Sequence, residues 1–137
     1  MANKKNIFIS HSWAYSDAYD KLIKLLDERG YFPYSNYSVP IDDPIHNAPY
    51  DYQLYNAIKA KISPSSCVLI IAGVYSSYSK WIDKEIKIAK TEFYTPKPII
   101  AIEPWGSEKT SKLVKDNADA VVKWQKDKIV EAIRDLT

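Results

Sequence analysis

The chain has 137 residues, enough for one domain (1–137) at the roughly 100–200 residues a domain takes, and its 46% hydrophobic and 26% charged residues are ordinary for a soluble globular protein. Lys plus Arg (19) against Asp plus Glu (17) leave +2, and the 7 basic and 7 acidic residues before Lys80 cancel, so the basic excess of a nucleic-acid binder is missing and no nucleic-acid partner is expected. The single cysteine, Cys67, excludes an internal disulfide and a Cys-based zinc site, no metal is expected, and three scattered glycines (Gly30, Gly73, Gly106) exclude the GxGxxG and P-loop motifs.

Residues 1–5 run straight into a short apolar strand at 6–10 rather than into a signal-like apolar run. A helix is predicted over Asp17–Arg29, with Tyr19, Leu22, Ile23 and Leu26 on one face and Gly30 as its left-handed C-cap. Residues 31–34 read as a second strand, placed at a sheet edge by Pro33, which cannot donate to a ladder. Residues 35–50 contain Pro40, Pro44 and Pro49 and form a long loop of the kind that is usually functional. Leu54, Ile58 and Ile62 define a helix over Asp51–Ile62, ended by Pro64. Residues 67–73 are almost continuously apolar, which fits a central parallel strand buried on both faces. A third helix over 80–94, a strand over 98–102, a short helix over 108–115, a strand over 120–124 and a closing helix over 127–136 follow.

The longest apolar run, 67–73, is far short of the ~20 residues that span a bilayer, so no membrane partner is expected. One unpaired cysteine fits a reducing, cytoplasmic location.

Five strands alternating with helices predict a three-layer parallel α/β sandwich, flavodoxin-like, in the order 2-1-3-4-5. That order places a ligand crevice beyond the carboxyl ends of strands 1 and 3. A phosphorylated receiver needs carboxylates there. Strand 1 ends instead in Ser10-His11-Ser12-Trp13 and strand 3 in Ala72-Gly73-Val74-Tyr75, which excludes a receiver. Two serines are too few for an FMN phosphate loop.

On the third helix Ile82, Ile86, Ala89 and Phe93 share the core face. Trp81, Glu85 and Ile88 line the adjacent face, which puts Glu85 at the margin between core and solvent. Ser79 is a natural N-cap. Ser79, Trp81 and Glu85 also reproduce the S-x-W-x-x-x-E pattern of enzymatic TIR domains, and Ile7-Phe8-Ile9-Ser10-His11-Ser12 resembles their F-I-S first strand. The proline-rich loop corresponds in position to the TIR BB loop. The resemblance runs from Lys5 to Leu136 and is closest to the TIR-like family of the Thoeris anti-phage system, the ThsB proteins.

That resemblance implies a flavodoxin-like TIR fold and an enzyme that cleaves nicotinamide from NAD+. NAD+ is then substrate, with no cofactor. The ADP-ribose is cyclised to a signal for a separate effector, so coupling to the effector is indirect. Glu85 matches the catalytic glutamate. Ser10, His11, Ser12, Asn36, Ser79 and Trp81 are the candidate substrate contacts. Many enzymatic TIR proteins carry an Arg or Lys near the position of Ser12 or Trp13, and this chain has neither. Such enzymes commonly self-assemble, a neighbouring protomer's loop completing the pocket. Two alternatives stand beside this reading: a non-catalytic TIR-type adaptor working through the 35–50 loop, and a nucleoside deoxyribosyltransferase-like enzyme. Tyr34, Tyr37, Tyr50, Tyr52 and Tyr55 cluster in and around that loop as a candidate aromatic contact surface.

Overall fold

A computed structural model describes residues 4–10, 17–37, 51–71, 80–103 and 112–137, without the side chains of 17–19, 51–54, 80–81 and 112–113. The elements alternate as β1 (Lys5–Ile9), α1 (Asp17–Arg29), β2 (Tyr34–Asn36), α2 (Asp51–Ile62), β3 (Cys67–Ile71), α3 (Lys80–Thr91), β4 (Ile99–Ile102), α4 (Lys112–Asn117), β5 (Ala120–Val122) and α5 (Lys126–Leu136). The strands form one parallel sheet in the order β2-β1-β3-β4-β5.

Parallel strands joined by helical crossovers are covered on both faces, which is why the central strands are apolar throughout. All five residues of β3 and all four of β4 are buried. Side chains alternate between two cores. Ile7, Ile9, Leu69 and Ile71 pack with α1 and α5, through Leu22, Leu26, Ile129 and Ile133. Phe8, Val68 and Ile70 pack with α2 and α3, through Ile58, Ile62, Ile82 and Ile86.

The two edge strands are the short, three-residue ones. The edge position expected from Pro33 is observed, but the second strand starts at Tyr34, three residues later than expected. Gly30 and Tyr31 both adopt positive φ (67° and 54°) and turn the chain before extended structure can begin. The turn is held where Arg134 of α5 donates to the Tyr31 carbonyl at 2.6 Å, and the Pro33 carbonyl accepts from Lys5 N–H at 3.0 Å.

The third helix stops at Thr91 rather than 94. Pro96 and Pro98 follow, and residues before proline are driven to extended backbone. Tyr94 projects fully into solvent, while Phe93, expected on the helical core face, packs on the core from beyond the helix end. The fourth helix is described from Lys112 to Asn117, its expected first residues 108–111 lying outside the described residues, and the fifth strand ends at Val122 rather than 124. Residues 72–73, expected to extend β3, and 38–50 of the long loop lie outside the described residues.

Candidate active site

Ser10 continues β1 past its last ladder residue: its N–H donates to the Leu69 carbonyl at 2.8 Å. It is completely buried. By strand alternation it shares the face of Phe8, toward α2 and α3, and stands beside Ile70. This is the carboxyl end of the β1–β3 pair, where the sheet order reverses and α/β folds open a ligand crevice.

Glu85 occupies the second turn of α3 and is 0% exposed. The margin position expected from its helical spacing is therefore corrected. At about 100° per residue, the buried positions 82, 85, 86, 88 and 89 span an arc of about 160°, wider than one sheet-facing stripe. Helix α2 packs along α3 and meets it at Glu92, on the same helical flank as Glu85 and Ile88. The contacts there are polar. The Tyr55 hydroxyl of α2 donates to Glu92 Oε2, and the Lys59 ammonium lies 3.1 Å from Glu92 Oε1. These contacts hold the Glu92 carboxyl below the usual carboxylate range, the Tyr55 hydrogen bond first and Lys59 second. The same bond raises Tyr55 above its ordinary value.

A fully buried carboxyl stands on the face that holds Ser10, near the switch point of the sheet. Charged groups are rarely fully buried unless held by partners or used in chemistry. In a medium of low dielectric such a carboxylate interacts strongly with any positive charge brought to it.

Other candidate residues fall elsewhere. Trp81 lies in the first turn of α3, on the helical face of Glu85, with its side chain outside the described residues; His11, Ser12 and Ser79 are outside them altogether. Asn36 ends β2 beside Ile7, three residues short of Ser10 along the neighbouring strand, and is exposed. By alternation it faces the same side as Tyr34, the α1 side of the sheet. The structure thus brings Ser10 and Glu85 to one face and does not bring Asn36 to them.

The tyrosine cluster also divides. Tyr34 stacks on Phe32 (centroids 5.6 Å apart) and donates to Asp27 at 2.9 Å on the α1 side, while Tyr55 is turned to Glu92 on the other. The Tyr55–Lys59–Glu92 group was not found from sequence. Its signal was there, as an i,i+4 pair on one helix and an i+7 repeat of Glu85 on the next, but nothing local says that the two helices meet.

One sheet in this order, with helices on both faces, is the flavodoxin-like architecture of TIR domains. The family model for the Thoeris protein ThsB, TIR-like domain, matches residues 8–109, and the chain belongs to that family. The match runs from Phe8, within β1, past β4 and takes in Glu85. Beyond it, β5 pairs with β4 and α5 fills the α1-side core. No curated protein matches the chain.

Proposed function

We propose that this TIR-like domain cleaves the bond between nicotinamide and ribose in NAD+ and cyclises the ADP-ribose into a signalling nucleotide read by a separate effector. Glu85 is the catalytic carboxylate. Ser10, with His11, Ser12, Ser79 and Trp81, supplies the substrate contacts. The observation that carries the reading is the complete burial of Glu85, on a helix of a Thoeris TIR-like domain, on the face shared with Ser10.

One carboxylate suffices for this chemistry. An ordinary glycosidase needs an acid to protonate its leaving group and a second carboxylate opposite. Nicotinamide in NAD+ already carries the positive charge and departs as a neutral molecule, so no acid is required. As the bond breaks, positive charge passes to the ribose ring. A fixed carboxylate in a water-poor environment stabilises that charge more in the transition state than in the ground state, by several kcal/mol at the order of magnitude known for preorganised groups. The enclosure of Glu85 supports the second step as well. Cyclisation requires a nucleophile of the substrate itself to reach the anomeric carbon before water does.

The test is mass spectrometry of nucleotides from phage-challenged cells that carry either the wild-type chain or Glu85→Gln. The wild type is expected to accumulate a product lighter than ADP-ribose by one water, and the variant none. Accumulation of ADP-ribose alone would remove the cyclisation step. A product undiminished in Glu85→Gln would remove the assignment of Glu85, and a wild type that makes no product would favour an adaptor acting by protein contacts.

A further inference from the structure

We infer that Tyr55 of α2 is a positioning residue for Glu85, acting through a clamp that sets the register of α2 against α3; the inference rests on the assignment of Glu85 as the catalytic carboxylate. Glu92 follows Glu85 by seven residues, about two helical turns, so both carboxyl groups lie on one flank of α3, ~10 Å apart along its axis. On that flank α2 presents Tyr55 and Lys59, four residues apart and therefore on one face, and each takes one oxygen of Glu92.

Both helices return from the carboxyl to the amino end of a parallel sheet, so they run in the same direction. Seven residues back from Glu92 is Glu85, and seven back from Lys59 is Tyr52, in the first turn of α2. The clamp thereby decides which part of α2 stands opposite Glu85. The apolar contacts between these helices cannot make that decision alone. Ile58 and Ile62 pack against a surface of Ile82, Ile86 and Ile88, and hydrophobic contact is non-directional. A carboxylate that accepts from a hydroxyl on one oxygen and faces an ammonium on the other adds a directional contact that favours one register. A slide of α2 by a fraction of a turn would change the packing along the flank of Glu85 while leaving both cores buried.

The experiment compares Tyr55→Phe, Glu92→Gln, their double variant and Lys87→Ala in the full chain, by nicotinamide release and by carboxyl-carbon NMR of the glutamates. Lys87 is the control: it pairs within α3 with Asp83 at 3.2 Å and does not cross to α2. Tyr55→Phe is expected to lower kcat by about ten- to a hundredfold, the scale of a small misplacement of reacting groups, with KM held within about twofold. The double variant should fall no further than Tyr55→Phe alone. The Glu85 carboxyl resonance and its titration midpoint should move in Tyr55→Phe and stay in place in Lys87→Ala, in samples whose melting transitions lie well above the assay temperature. An unmoved Glu85 resonance with wild-type kcat in Tyr55→Phe overturns the inference while leaving the catalytic role of Glu85 intact. If the wild type releases no nicotinamide, the catalytic reading fails separately, and the Glu85 resonance alone decides: displaced by Tyr55→Phe it supports the clamp, undisplaced it rejects it.

Discussion

Glu85 sits where a helix surface would ordinarily place a solvated acid, between Lys84 and Lys87, yet it is completely buried. Periodicity along α3 predicts which side of the helix meets the sheet. It does not predict how far round the next helix wraps, because that is set by side chains distant in sequence. The S-x-W-x-x-x-E resemblance therefore pointed to Glu85 more clearly than its helical position did. Cys67 shows the opposite case. Its apolar strand context alone points to an inert core thiol, and burial pushes that thiol up to about 12. A thiolate is the reactive species. The native protein is expected to resist an aromatic disulfide reagent at neutral pH and to react fully once unfolded in denaturant, read as released thiolate absorbance. Rapid labelling of the native chain would contradict the closed packing of β3.

At the scale of elements, the long and strongly patterned segments were legible. Both α1 and α2 have the expected bounds, and β3 is buried at every position as its unbroken apolar run required. Short elements shifted. β2 moved because backbone geometry at Gly30 and Tyr31, not apolar content, decides where that strand starts. The α2–α3 interface was invisible because its polar part joins residues 37 positions apart.

That interface has a pH signature. The Glu92 carboxyl is held down in the folded chain, chiefly by Tyr55 and then Lys59. Its stabilisation is present above the ordinary carboxylate range and is lost as pH falls through the lowered value. Tyr55 is raised, so the same bond persists as pH rises to the ordinary tyrosine value of about 10 and is lost above the raised one. Melting temperature followed against pH should fall less steeply in acid for Glu92→Gln than for the wild type. Equal acid slopes would show that this contact does not carry the linkage. Glu103, at the end of β4, behaves in the same sense, held down first by Lys123 and also by Lys115, so a residual acid slope is expected in that variant.

The whole molecule is a sheet with a core on each face, and the two faces divide its work. The α1–α5 side is apolar over much of the length of both helices. The α2–α3 side contains the buried Glu85 and Ser10 beside its own apolar core. Phe8, fully buried beneath α2 and α3, is the largest anchor of that side. Phe8→Ala is expected to cost about 3–5 kcal/mol, measured as the shift of the urea midpoint at unchanged slope; a loss below 1 kcal/mol would mean that this core is loosely packed.

The near-neutral charge is also resolved at this scale. Each of the five described helices carries a basic residue in its last turn, where it offsets the helix dipole. Lys59, Lys61, Lys90 and Lys115 are thereby tied to local helix electrostatics. The central claim concerns one carboxylate on one face of this sheet. The most direct measurement is nicotinamide released from NAD+ by the wild-type chain and by Glu85→Gln, assayed side by side in samples of matched melting temperature. Release by the wild type with loss of at least about a thousandfold in the variant, some 4 kcal/mol of transition-state stabilisation, is the expected result. Equal release by both proteins would contradict it.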